Sequence, residues 1–173
     1  MKRVTFIESE RFIICQPLID DITYWDELHS DPDVMKNLGG IRDSQTSSEW
    51  IQADISHFKK YGFCLGSVFI KSDMQFVGRA GVVHLFYDDQ RPELEIGYAL
   101  LKKYWHRGFG TEIVKAIIDW SMLKYFDIDL VALTSPDNEA SLNLLKAIGM
   151  REIKRIIHNK KPFLYFKYDA NSE

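Results

Sequence analysis

The segment YWHRGFGT, residues 104–111, decides the fold because it links a predicted strand to the start of a long amphipathic helix. Gly108 and Gly110 remove side chains where the backbone turns into that helix. The first N–H groups of a helix have no internal hydrogen-bond partners, and together with the helix dipole they form an anion site. Arg107 adds a cation that keeps its proton, and Thr111 adds a hydroxyl donor. The segment therefore predicts a phosphate-binding turn.

Two better-known phosphate loops do not fit this segment. A P-loop needs a Gly-Lys-Ser/Thr triplet, and none follows Gly110. A dinucleotide fingerprint needs three glycines in the order G-x-G-x-x-G, and the third is missing here. Glycines at a helix start also serve turn geometry alone, so this purely structural interpretation stays open beside phosphate binding.

Outward from the turn, the hydrophobic pattern predicts about seven strands and about four helices. The predicted strands span residues 11–17, 63–71, 76–86, 93–101, 129–134, 150–157 and 162–168. The predicted helices span residues 20–28, 47–61, 108–126 and 136–148, and Ser47 or Ser48 is the expected N-cap of the second. The crossover from the fourth strand to the fifth is expected to be parallel and right-handed. We therefore predict an α/β fold, a mixed central sheet flanked by helices on both faces.

Composition is typical of a globular protein. The 173 residues are 46% hydrophobic and 27% charged, which favours a single domain over residues 1–173. The net charge of −3 gives no basic footprint for direct contact with nucleic acid. Cys15 and Cys64 form no closely spaced pair, and no histidine spacing suggests a ligand set, so we expect no metal site. No apolar run reaches the roughly 18 residues of a spanning helix, so we expect a cytoplasmic protein without a membrane partner.

Several short motifs accompany the glycine turn. These are Gly108-x-Gly110 preceded by Trp105, the strand Glu95-Ile96-Gly97-Tyr98, the pair Asn138-x-x-Ser141, the dipeptide Gly149-Met150 and the opening ERFIICQPL, residues 10–18. Together they resemble the GNAT superfamily of acetyl-CoA-dependent N-acetyltransferases, and specifically its RimJ/RimL-like branch. Trp105 departs from the Gln/Arg of the superfamily loop and is similar to the Trp-x-x-Gly-x-Ala/Gly version of that branch. The resemblance covers the second half closely and the first half in the order of its elements.

The resemblance implies a GNAT fold, acetyl-CoA as co-substrate and an amine as acceptor. The fourth strand would separate from the fifth at a bulge, and backbone groups of Ala99 and Leu100 would pair there with the pantetheine arm. Asn138 would contact the arm from the next helix. An extended amide chain can satisfy a strand edge, which agrees with this arrangement. The N–H groups implied for the pyrophosphate belong to His106, Arg107, Gly108, Phe109, Gly110 and Thr111.

Acyl transfer to an amine needs two proton movements, and the resemblance provides one candidate for each. Glu95 is the candidate base, because some family members place a catalytic glutamate just before the bulge, and Glu93 is its nearest rival. Ser141 is the candidate acid, since the tyrosine that many family members use is replaced here by Leu145. The structural alternatives are that Glu95 faces solvent or pairs with a lysine, and that Ser141 only satisfies the first helical turn.

The acceptor stays open at the level of sequence. The branch suggests the N-terminal α-amine of a protein, and the alternative is a small amine such as a polyamine, an amino sugar or an antibiotic. Four acidic residues near the fourth strand would suit a cationic acceptor: Asp88, Asp89, Glu93 and Glu95. A non-catalytic acyl-CoA-binding module and a nucleotide-binding module that takes no CoA are further alternatives, and a homodimer formed through the C-terminal strands is a further expectation.

Overall fold

One eight-stranded sheet organises the protein in a computed structural model that describes residues 3–169. The strands are β1 (Thr5–Glu8), β2 (Phe12–Cys15), β3 (Leu65–Ile70), β4 (Phe76–His84), β5 (Leu94–Leu100), β6 (Leu130–Thr134), β7 (Met150–His158) and β8 (Lys161–Tyr168). Their spatial order is β1-β2-β3-β4-β5-β6-β8-β7. The β5–β6 pair is parallel and the other neighbouring pairs among these strands are antiparallel, which confirms the mixed sheet and its parallel crossover.

Five α-helices accompany the sheet within the described residues. They are α1 (Ile22–Ser30), α2 (Pro32–Met35), α3 (Ser44–Tyr61), α4 (Phe109–Lys124) and α5 (Glu139–Ala147). No helix in residues 3–169 combines the length and the apolar content that crossing a membrane requires. The sequence pattern missed β1 and α2, because each has only four residues and neither is long enough to show a period.

Helix α3 begins three residues earlier than predicted because a different side chain caps it. Asp43 accepts a hydrogen bond of 2.8 Å from the backbone N–H of Thr46, which satisfies one of the unpaired donors of the first turn. The predicted cap, Ser47, is instead fully buried, and its hydroxyl is hydrogen-bonded to His29 at 3.0 Å. The sequence pattern therefore placed the N-cap at a serine that lies inside the helix, four residues after the actual cap, Asp43.

Opposite faces of the sheet carry different helices. The guanidinium of Arg79 on β4 lies 5.6 Å from the ring centroid of Trp25 on α1 and 5.7 Å from that of Trp50 on α3. Arg79 pairs across the sheet with the residue that follows Tyr98, so Tyr98 points to the other face. There its hydroxyl donates a 2.9 Å hydrogen bond to Ser141 of α5. The fold thus places α1 and α3 on one side of the sheet and α5 on the other.

Candidate functional site

A gap opens between β5 and β6 at the centre of the sheet. The two strands pair at Leu94 with Leu130 and at Glu95 with Val131, and the pairing ends there although both strands continue. On its other side β5 stays in register with β4 from Leu94 to Leu100 without a shift. The predicted splay is therefore present, but the bulge expected to cause it is absent from the β4–β5 register. The gap exposes one edge of β5 between the two faces of the sheet.

Backbone alternation decides which residues present hydrogen-bonding groups to the gap. The N–H of Leu101 donates to the carbonyl of Val77 at 2.9 Å, which marks Leu101 as facing β4. Because successive residues of an antiparallel pair alternate, Ala99 also turns its backbone groups to β4, whereas Tyr98 and Leu100 turn theirs to the gap. The assignment of Ala99 to the pantetheine arm stays a prediction, although its backbone groups face β4 in this structure. Tyr98 is the neighbour of Leu100 whose backbone groups face the gap.

Trp105 ties the end of β5 to the glycine turn. Its indole Nε1 donates a 2.8 Å hydrogen bond to the carbonyl oxygen of Leu100. A glutamine or arginine at this position would have a more flexible polar side chain, whereas the rigid indole limits the separation between strand and turn. The departure from the superfamily loop thus has a specific structural role.

The turn presents the uncapped start of α4. Gly108 has a φ of 72°, in the left-handed region. A Cβ added to Gly108 would meet no atom within 4 Å, so glycine is favoured there by its backbone conformation and not by lack of space. No side chain caps α4, and its first intrahelical hydrogen bond runs from the N–H of Glu112 to the carbonyl of Gly108 at 3.2 Å. The N–H groups of Phe109, Gly110 and Thr111 precede that bond. His106, Arg107 and Gly108 are exposed, so an anion can reach this helix start.

Close packing around Gly110 brings α4, α5 and β5 together. A Cβ on Gly110 would lie 3.1 Å from Leu144 of α5 and 3.8 Å from Leu100 of β5. The first of these distances is tighter than ordinary van der Waals contact, so a methyl group at this position would require the Leu144 side chain to shift by a few tenths of an ångström. The absence of a side chain at Gly110 thus allows α5 to pack closely beside the helix start.

Glu95 lies at the last paired position before the gap and is partly buried. Burial raises its pKa to about 7, although the Phe86 N–H at 3.5 Å and the charge of Arg79 act in the opposite direction. Its rival, Glu93, lies outside β5, and one of its carboxylate oxygens is 3.6 Å from Arg91. A carboxyl group with a pKa near neutrality, such as that of Glu95, suits a general base at physiological pH.

Ser141 is joined to the far side of the gap by a tyrosine. The hydroxyl of Tyr98 donates to Ser141 Oγ at 2.9 Å, across 43 residues of sequence. Burial raises the pKa of Tyr98, so the phenol stays protonated and remains a donor. The backbone N–H of Ser141 donates to Asn138 Oδ1 at 3.2 Å, which makes Asn138 the N-cap of α5. The Ser141 hydroxyl is thus not what satisfies the first helical turn.

These features agree with the comparison against known protein families. Residues 11–151 match the model of the Acetyltransferase (GNAT) domain. The chain belongs to the GNAT acetyltransferase family. The predicted fold and the predicted enzyme class, an N-acetyltransferase, are thereby confirmed.

Similar proteins extend over nearly the whole chain. The uncharacterized protein YkkB of Bacillus subtilis (strain 168) is 29% identical over 153 residues, which are 88% of each sequence. A GNAT-family acetyltransferase from Bacillus anthracis has a crystal structure with a TM-score of 0.79 and 22% identity, covering 94% of this chain and 96% of that one. RimL, a ribosomal L7/L12 alpha-N-protein acetyltransferase solved in complex with coenzyme A, has a TM-score of 0.77 and 11% identity, covering 99% of this chain and 100% of its own. Both structures share the GNAT fold.

Most of the four acidic residues expected near β5 have basic neighbours. Asp89 pairs with Lys60 at 2.5 Å, and the hydrogen bond from that lysine holds the pKa of Asp89 below its usual range. Asp88 lies 4.0 Å from Arg91, which also faces Glu93. Three of the four carboxylates expected to attract a cationic acceptor therefore already have basic partners. Glu95 differs from them because its carboxylate has no ion-pair partner among the described residues.

The GNAT site also contains groups that sequence reasoning did not select. Leu145, at the tyrosine position of many relatives, is 1% exposed and lies in the core. The hydroxyl near the gap comes instead from Tyr98, a residue of the Glu95-Ile96-Gly97-Tyr98 motif. Arg79 is the second group that the sequence analysis missed. The sequence feature that could have indicated it is a single arginine inside the otherwise apolar strand Phe76–His84. Phe86 and Tyr87 take left-handed backbone angles of 61° and 57°, which no local motif indicated.

Proposed function

We propose that this GNAT domain transfers acetyl from acetyl-CoA to a primary amine by direct attack within a ternary complex. The observation that carries the proposal is the combination of an open β5 edge and an uncapped α4 start, held together by Trp105. An extended amide arm fits a strand edge, and a pyrophosphate fits a helix N-terminus. When bound, acetyl-CoA supplies an activated acetyl thioester.

The binding groups follow from the geometry of the gap and the turn. Backbone groups of Tyr98 and the N–H of Leu100 face the open edge, while the carbonyl of Leu100 already accepts from Trp105. The pyrophosphate is assigned to the N–H groups of residues 106–111, with the exposed Arg107 guanidinium as a nearby cation. Asn138, whose Oδ1 caps α5, has its amide NH₂ left for the arm.

Glu95 and Ser141 take the two proton-handling roles in this proposal. Glu95 accepts the proton that the attacking ammonium must lose, and its pKa of about 7 matches that task. Ser141 donates a hydrogen bond to the departing sulfur while Tyr98 donates to the Ser141 oxygen. A covalent cysteine is not used, because Cys15 and Cys64 are both fully buried and burial raises the pKa of each thiol.

We place the acceptor amine first at the N-terminus of a protein, in a RimJ/RimL-like role. The support is the fold similarity to RimL, a ribosomal L7/L12 alpha-N-protein acetyltransferase. The second candidate is a small amine, and it is favoured by the partly buried position of Glu95 beneath the β4–β5 loop. A panel of peptides and small amines assayed with acetyl-CoA distinguishes the two.

Acetyl-CoA is expected to raise the melting temperature strongly, whereas adenosine diphosphate has little effect. A ligand that binds only the folded state adds about 2.7 kcal/mol at a hundred times its Kd. The measurement is a thermal melt with each ligand. An unchanged melting temperature at millimolar acetyl-CoA would mean that residues 104–111 do not bind the cofactor. That result would contradict the proposed acetyl transfer.

Trp105→Phe tests the link between strand and turn. The substitution keeps the aromatic ring and removes the N–H that donates to Leu100. We expect KM for acetyl-CoA to rise about threefold to tenfold with kcat nearly unchanged, since one neutral hydrogen bond is lost outside the reacting centre. Tyr104→Phe is the matched control, because it removes a neighbouring aromatic donor that bonds Gln75 instead. An equal rise of KM in both variants would contradict the role of Trp105.

A further inference from the structure

Arg79 is a buried cation with no ion-pair or hydrogen-bond partner within residues 3–169. It lies in the middle of β4 with 6% of its surface exposed. Its Nε and Nη1 are fully buried, and no described group accepts a hydrogen bond from either. Its contacts are the rings of Trp25 and Trp50, 5.6 and 5.7 Å from the guanidinium carbon. Rings stabilise the charge in part, but they leave the N–H donors without acceptors.

Such an arrangement is costly unless something else completes it. A guanidinium keeps its proton in proteins, so Arg79 cannot avoid the cost of burial by becoming neutral. Buried charges are therefore normally paired, and buried donors are normally hydrogen-bonded. Arg79 violates both expectations at one place in the fold. An anionic ligand that supplies two acceptor oxygens would satisfy both.

A second arginine lies beside Arg79 on the α1 and α3 side of the sheet. Arg42 lies 4.5 Å from the ring of Trp50, so two guanidiniums share one half-buried indole. Burial and the charge of Arg79 together lower the pKa of Arg42 to about 10. The nearby carboxyl of Asp54 forms no ion pair with either guanidinium within residues 3–169, since its hydrogen bonds come from the Leu65 N–H and the Tyr87 hydroxyl. A carboxylate brought by a ligand would therefore be the first to pair with Arg79.

Arg79 and Glu95 lie on the same face of the sheet. Arg79 pairs with Ala99 and Val83 pairs with Glu95, so the two side chains are separated by an even number of positions. Their charges are close enough for Arg79 to lower the pKa of Glu95. The four residue steps from Glu95 to Ala99 correspond to about 14 Å along the strand. A molecule with its amine at Glu95 must therefore extend several bonds to reach Arg79.

We propose that Arg79 is a specificity-determining residue that binds a carboxylate carried by the acceptor, several bonds from the reacting amine. The proposal rests on the acetyl-transfer function proposed above. The same chemistry has two sources, an acidic side chain near the N-terminus of a peptide and the carboxylate of a small ω-amino acid. In both, the amine is positioned at Glu95 because the other end of the molecule is held by the planar fork of Arg79.

The experiment compares acceptors that differ only in this charge. Wild-type kcat/KM is measured for peptides with glutamate or glutamine at the second position, and for an ω-amino carboxylate and its amide. We expect the carboxylate member of at least one pair to be preferred by about tenfold or more, as charge-assisted hydrogen bonds allow. The pair that shows the preference identifies the source.

Variants then assign the preference to Arg79. In Arg79→Gln the ratio should fall to near one while the acetyl-CoA-induced melting shift persists, and Arg79→Lys should retain part of the ratio. Arg151→Gln, an exposed arginine of the edge strand β7, should retain all of it. If Arg79→Gln does not fold, the role of Arg79 is still tested by the kcat/KM ratios of carboxylate to amide acceptors in the wild type and in Arg79→Lys.

The possible outcomes distinguish a failure of the Arg79 proposal from a failure of the proposed acetyl transfer. Transfer at equal rates to both members of every pair overturns the role of Arg79 and leaves acetyl transfer intact. A preference that survives in Arg79→Gln also overturns it. No transfer to any amine, together with no melting shift with acetyl-CoA, overturns the proposed function itself.

Discussion

Glu95→Gln is expected to lower kcat by about a hundredfold to ten-thousandfold, the range of a lost general base. Glutamine keeps the size of the side chain and cannot accept the ammonium proton. The acetyl-CoA melting shift should persist, since Glu95 is assigned to the acceptor amine. A variant with full activity would remove Glu95 from the mechanism.

The pH dependence gives the same test a second readout. The pKa of Glu95 is raised to about 7, so the carboxylate forms as pH rises through that value. Wild-type kcat/KM should therefore climb to a shoulder near pH 7, and Glu95→Gln should lose that limb and keep only the ionisation of the acceptor amine. Glu93→Gln is the matched control, because Glu93 faces Arg91 and its loss should leave the limb in place.

Asp54 needs its own comparison because burial also raises its pKa to about 7. Asp54 accepts hydrogen bonds from the Leu65 N–H at 2.9 Å and from the Tyr87 hydroxyl at 3.1 Å. Asp54→Asn keeps an acceptor for both and removes the titration. The limb should survive in this variant, and its disappearance would transfer the base role from Glu95 to Asp54.

Sequence periodicity was sufficient for the long elements. A helix was predicted over residues 108–126, and α4 spans Phe109–Lys124 with Ile113, Val114, Ile117 and Ile118 buried on one face. The parallel β5–β6 crossover followed from the right-handed rule for a strand–helix–strand unit. Short elements and caps depend on one or two side chains, so β1, α2 and the Asp43 cap escaped the pattern.

The site was predictable only where the chain is locally continuous. The turn at residues 104–111 is local, and so is the start of α5, where Asn138 proves to be the N-cap. Which backbone groups of β5 face the gap depends on the hydrogen-bonding phase with β4, and that phase turns those of Ala99 toward β4. The Tyr98–Ser141 contact joins residues 43 positions apart, and the Lys60–Asp89 pair joins residues 29 apart. Contacts of this kind are formed by the fold, and no sequence period encodes them.

Ser141→Ala is expected to lower kcat by about tenfold to a hundredfold with little change in KM for acetyl-CoA, because the lost hydrogen bond strengthens only as sulfur becomes negative. Ser141→Thr keeps a hydroxyl and should restore part of the rate. The measurement is steady-state kinetics with the acceptor saturating. Unchanged kcat in Ser141→Ala would remove Ser141 from the mechanism.

Tyr98→Phe decides whether serine or tyrosine is the donor. Since Tyr98 donates to Ser141 Oγ, it directs the serine proton away from the ring and acts through Ser141. We expect a smaller loss of kcat than in Ser141→Ala, about threefold to tenfold for one hydrogen bond. The double variant should then be no slower than Ser141→Ala alone, because both substitutions break one chain of donors. A larger loss in Tyr98→Phe than in Ser141→Ala would make the tyrosine hydroxyl the group that meets the sulfur, with Ser141 as its positioning partner.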